Sequence, residues 1–153
     1  MITKYLFRPL HEHADPAQRL QGVAALAPDA PELAHLVTTD PAADVRAAAA
    51  ARSTDLGALA SAWRTEADAG VRAALGGVLG RVLASTTDAA VAADLLQGDA
   101  CTDAIRAEVA RGATDAERRR IAVAAVRSAE VLVDIALAAD HAETRLAAAE
   151  RVH

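Results

Sequence analysis

Apolar residues along this chain fall into short blocks at helical spacing, and most blocks open on an aspartate. Asp-Pro begins two of them, "DPAQRLQGVAAL" at Asp15 and "DPAADVRAAAAAR" at Asp40. An aspartate side chain accepts from the unpaired N–H groups of a first turn, and proline is tolerated there because its missing N–H would have no partner anyway. Both read as helix starts. "DAGVRAALGGVLGRVL" at Asp68, "DAERRRIAVAAV" at Asp115 and "DHAETRLAAAERV" at Asp140 follow the same pattern, and "DACTDAIRAEVA" from Asp99 follows it loosely. Between them lie shorter apolar segments: "APELAHLV" from Ala30, "DLGALASAW" from Asp55, "DAAVAADLL" from Asp88 and "EVLVDIALA" from Glu130. The predicted unit is a pair of short antiparallel helices, with Gly70, Gly98 and Gly112 at turns. No segment alternates as a strand would.

An arginine follows each aspartate start. Arg19, Arg46 and Arg72 lie 27 and 26 positions apart, and Arg119 and Arg145 are again 26 apart. "VRAAAAAR" (Val45–Arg52) matches "TRLAAAER" (Thr144–Arg151). Self-similarity at this period predicts a solenoid. It also explains the alanine run. Ala47, Ala48 and Ala51 are spaced to share one helical face, where small side chains let a neighbouring helix approach. From this, Ala48→Glu or Ala148→Glu is expected to unfold the stack and Arg119→Ala to be mild.

The motif of Asp, a few residues, Val-Arg, one residue and an alanine cluster resembles HEAT-type repeats, especially the short kind of phycobilin-lyase-like proteins. The layout is also similar to the N-terminal repeat region of an uncharacterised bacterial family in which such repeats precede coiled-coil helices; on that likeness this chain is a piece of a longer one. The resemblance implies an all-α, α-α superhelix of about five two-helix repeats. Residues 1–14 are expected to form an N-terminal capping segment and residues 15–153 a single repeat domain. Its phase is irregular within 85–115, where "TTDAAVAADLLQGDACTDAIRAEVARGATDA" holds one helix more than strict pairing allows. The resemblance also implies that the arginine-bearing helices line a concave face.

Composition adds limits. The chain has 153 residues, enough for one domain of ordinary size. More than a quarter are alanine, and the aromatics are Tyr5, Phe7 and Trp63 alone. That balance favours closely packed helices. A net charge of −5 disfavours nucleic acid as the main ligand. Cys101 is the lone cysteine, so no internal disulfide forms, which suits a reducing cytoplasm. No apolar run approaches a membrane span, and "MITKYLF" lacks the apolar length and cleavage site of a signal peptide.

Candidate partner-binding residues are Arg46, Arg72, Arg119, Arg145 and Trp63. The competing reading makes the arginines a structural ladder with Asp15, Arg19, Asp68, Asp115 and Asp140. Asp15/Arg19, Asp68/Arg72 and Asp115/Arg119 are each four apart, and an arginine can also reach the aspartate of a neighbouring repeat. Of Arg118, Arg119 and Arg120 at most two serve one surface, and a solvated face is expected. "HEH" (His11–His13) has no third ligand nearby, so no metal or other cofactor is expected. Cys101 reads as a buried filler, "LGGVLG" (Leu75–Gly80) as close helix contact or a bend, Trp63 as a wedge between repeats, and "KYLFRPL" (Lys4–Leu10) as a cap over the first repeat. The expected function is a non-catalytic scaffold that binds a protein partner through one face of the stack, as a monomer or weak oligomer. The alternatives are nucleic-acid or phosphate binding along a concave arginine strip, and, by fold analogy, action on a tetrapyrrole chromophore.

Overall fold

A computed structural model describes residues 8–152. The first half of the capping segment, Lys4–Phe7 included, lies outside the described residues. Among those described there are ten α-helices and no strand: α1 (Pro16–Ala25), α2 (Pro31–Thr39), α3 (Ala43–Arg52), α4 (Leu56–Thr65), α5 (Ala69–Ser85), α6 (Ala89–Gln97), α7 (Asp103–Gly112), α8 (Ala116–Ala125), α9 (Ala129–Ala138) and α10 (Ala142–Ala149). The protein is all-α. The described residues divide into two compact units, with the boundary between Val78 and Leu79, inside α5.

In the first unit α2 packs on α3, and α1 and α2 pack on α3 and α4 respectively. Where a partner helix for α1 would stand there is a 3-10 turn, Leu10–Glu12, packed on α1. The contact is so close that a Cβ on Gly22 would lie 2.2 Å from the His11 backbone nitrogen, so only glycine fits there. In the second unit α7 pairs with α8 and α9 with α10, while α6 stacks on α8, α7 on α9 and α8 on α10. The apolar blocks supply both cores. Leu33, Val45 and Leu59 in the first unit, and Leu96, Val109 and Ile135 in the second, are fully buried.

Caps fix the helix starts. The Asp15, Asp55, Asp68, Asp88 and Asp115 carboxylates accept first-turn N–H groups, as do the Thr102 and Ser128 hydroxyls. Three expected starts move. The helix begins at Ala43 rather than beside Asp40, at Asp103 rather than Asp99, and at Ala142 rather than beside Asp140. Asp40 instead closes α2.

The extra helix between Asp68 and Asp115 is there. Arginine-bearing α1, α3 and α5 are odd-numbered and α8 and α10 even, because α6 and α7 stand where alternation needs one helix. "LGGVLG" is continuous helix within α5, and Gly80 meets α7 where its Cβ would lie 3.0 Å from Glu108 Cβ.

The alanine run packs differently from its expected register. Val45, Ala49 and Ala50 are fully buried, Ala47 and Ala48 are half-buried, and Ala51 is exposed. Val45 and Ala49 are four apart, so the buried stripe starts from the valine and skips Ala51.

Candidate functional site

The recurrent arginine occupies the fourth position of its helix, and its reach is set by the turn before it. Arg19 Nη1 donates to the carbonyls of His13 and Ala14, 2.9 Å each. Arg46 Nη1 donates to Asp40 and Pro41 at 2.9 and 3.2 Å. Arg119 does the same to Ala113 and Thr114 at 2.8 Å each, and Arg145 to Ala139 and Asp140 at 2.7 and 3.0 Å. In every case the acceptors lie six and five residues upstream. A tight turn between helices leaves carbonyls that no helix satisfies, and one guanidinium clamps two of them.

The other edge of the guanidinium faces the next helix pair. Arg19 Nε and Nη2 hold both Asp40 oxygens at 2.7 and 2.9 Å. Arg46 Nε and Nη2 hold both Glu66 oxygens at 2.7 and 2.8 Å. Arg119 Nε donates to Thr144 Oγ1 at 3.1 Å and Nη2 to Glu143 at 2.5 Å. The ladder thus runs from one repeat to the next. Asp15, Asp68 and Asp115 cap helix backbones and are not the ion-pair partners of Arg19, Arg72 and Arg119 four residues on, and Asp140 contributes its carbonyl.

Arg72 breaks the series. Its Cζ lies 5.0 Å from the centre of the Trp63 ring, a cation–π stack that leaves the half-buried indole covered on one face. Glu66, six residues before it, gives its side-chain carboxylate to Arg46.

The electrostatics follow. Arg46 beside Glu66 holds that carboxyl down at about 2. Burial pushes the Asp40 carboxyl up, but Arg19 and the Ala42 N–H outweigh it and leave it below the usual carboxylate range. A depressed carboxyl pKa stabilises the fold fully above its unfolded value, and that contribution is lost as pH falls through the folded value. Glu66→Gln is therefore expected to melt below the wild type at pH 7. The gap should close as pH falls from about 4.5 towards 2, in thermal melts followed by circular dichroism.

Arg118–Arg119–Arg120 is not a solvated patch. Arg118 and Arg119 are buried, with Arg118 on the Ala84 carbonyl; Arg120 alone is exposed, paired with Glu117. A 410 Å³ cleft is lined by Arg106, Arg120, Arg127 and Arg151. Arg106 donates to the Leu96 and Gly98 carbonyls and Arg151 to Val123, so these two close the C-terminal ends of α6 and α8.

Elsewhere, among the described residues no three His, Cys, Asp or Glu side chains are grouped to hold a metal. His13 Nδ1 accepts from the Asp15 N–H. Cys101 is buried, and burial pushes its thiol up, away from the reactive thiolate. No described helix is long and apolar enough to cross a membrane.

One exposed surface carries no motif in the sequence. Among the described residues α9, α10 and the turn after α10 leave Val133, Leu137, Leu146 and Val152 exposed, Leu137 by 79% and Leu146 by 61%. The α7–α8 and α9–α10 pairs align at an offset of 26. Val133, Ala149 and Val152 then match Ala107, Val123 and Val126, all buried in α7–α8, which α9–α10 covers. Leu137 and Leu146 stand where α7 and α8 carry the partly and largely exposed Arg111 and Arg120. The signal was present as two leucines at positions held by arginines one repeat earlier.

No known protein family matches the chain, and neither the curated proteins nor the solved structures give a significant match.

Proposed function

We propose that this chain is a non-catalytic, HEAT-like repeat scaffold that binds a protein partner, and that the exposed face of α9 and α10 takes part in that contact. The observation that carries the reading is that Val133, Leu137, Leu146 and Val152 all stand exposed on or just after this helix pair. Large aliphatic side chains grouped on one helix pair favour a protein surface over solvent. The arginine strip gives the phosphate alternative little support, because Arg46 and Arg119 already donate from both edges to carbonyls, a hydroxyl and carboxylates.

The test is affinity capture from a bacterial lysate at low and moderate salt, with the wild type beside a Leu137→Glu/Leu146→Glu variant whose helicity is checked. The reading expects a defined protein retained by the wild type at moderate salt and reduced at least tenfold by the variant. Recovery dominated by nucleic acid and lost as salt rises contradicts it.

A further inference from the structure

We propose that the outer end of α9–α10 receives a helix pair from a partner protein, and that Arg145 takes a carboxylate from the turn of that pair. This rests on the protein-binding reading above and names its partner chemistry.

Three arginines of the same chain set the precedent. Arg19 clamps its own turn with Nη1, and its Nε/Nη2 edge holds Asp40 in the turn of the α2–α3 pair. Arg46 repeats this with Glu66 in the turn between α4 and α5. Arg119 repeats it with Thr144 and Glu143 at the start of α10. Each outward edge is filled by the helix pair that follows.

Arg145 has the first half of this arrangement. Its Nη1 holds the Ala139 and Asp140 carbonyls, which fixes the plane of the guanidinium as in the other three. Among the described residues no acceptor meets its Nε/Nη2 edge. A fixed guanidinium edge matches the two oxygens of a carboxylate and offers nothing to a neutral aliphatic group. Ala149 lies one turn on in the same helix, and Val133, Ala149 and Val152 are the counterparts of Ala107, Val123 and Val126, which are buried in the pair that α9–α10 packs on. The surface therefore continues the interface already formed between α7–α8 and α9–α10, and it asks for the same kind of occupant. That occupant is two short antiparallel helices with small and aliphatic residues on the contact face and an aspartate or glutamate in the turn.

The chain contains a probe of this chemistry. Residues 29–54 span α2, the Asp40 turn and α3, the pair that already fits Arg19. The experiment titrates the full-length ¹⁵N,¹³C-labelled protein with a synthetic peptide of that sequence to millimolar concentration. The expected result is saturable movement and slowed exchange of the Arg145 Nε–H signal, with shifts of the Val133 and Val152 methyls. An Asp40→Asn peptide should bind at least tenfold more weakly, as should the wild-type peptide to an Arg145→Gln protein. No movement at Arg145, or equal binding by the Asn peptide, overturns the proposal. A lysate partner lost with Leu137→Glu/Leu146→Glu but indifferent to Arg145→Gln would also overturn it while leaving the protein-binding reading intact.

Discussion

Ala49→Glu is expected to abolish the folded state. Ala49 in α3 is fully buried, as is Ala148, its counterpart 99 positions on in α10. A glutamate there inserts four heavy atoms into a contact with no room for them, which costs about 1–3 kcal/mol. Its carboxylate is also taken out of water, and an uncompensated buried charge costs about 3–5 kcal/mol more. A domain of this size holds roughly 5–15 kcal/mol in all, so the cooperative melt should disappear. Far-UV circular dichroism against temperature checks it. Ala51→Glu is the matched control: two residues along the same helix but exposed, it should stay within about 0.5 kcal/mol of the wild type. Similar melts for the two variants would mean that the register of α3 is wrong.

Arg119→Ala is expected to cost about 3 kcal/mol in urea unfolding. Arg119 is 4% exposed, and its removal strips donors from the Ala113 and Thr114 carbonyls and from Thr144 at once. Each buried acceptor left unpaired costs about 1–3 kcal/mol, and water entering the gap recovers part of the sum. Arg119→Lys should not restore stability, because a point donor cannot bridge two carbonyls and also reach the next helix. Arg120→Ala, one residue on and exposed, should leave the curve unchanged. This reverses the mild effect that the sequence suggests for Arg119. An arginine in a charged run looks solvated until the turn carbonyls that it satisfies can be seen.

The same contrast marks how far the chain could be read. Helix starts at Asp15, Asp55, Asp68, Asp88 and Asp115 were legible because a capping carboxylate acts within three residues. The added helix before Asp115 was legible because it breaks a count. Asp40 and Asp140 misled, since an aspartate one or two residues before a helix's N-cap looks the same in sequence as a cap. Asp40 is drawn instead by Arg19, which lies 21 positions away in α1. The arginines' positions were plain at their 26-residue spacing, but their partners were not. Clamping depends on turn carbonyls, and a carbonyl has no signature in a sequence. The exposed strip of Val133, Leu137, Leu146 and Val152 escaped because apolar residues at helical spacing read as core, and whether another pair covers them is a tertiary fact.

Arg19, Arg46 and Arg119, held at both edges of the guanidinium, are locked between turns and are not open to a ligand. Hydrogen exchange at the arginine Nε–H groups, measured by ¹⁵N NMR with and without a duplex DNA oligonucleotide at low salt, tests it most directly. The account predicts slowly exchanging signals for Arg19, Arg46 and Arg119 that do not move when DNA is added. Fast exchange in the free protein, with shifts of Arg46 and Arg119 on titration, would contradict it.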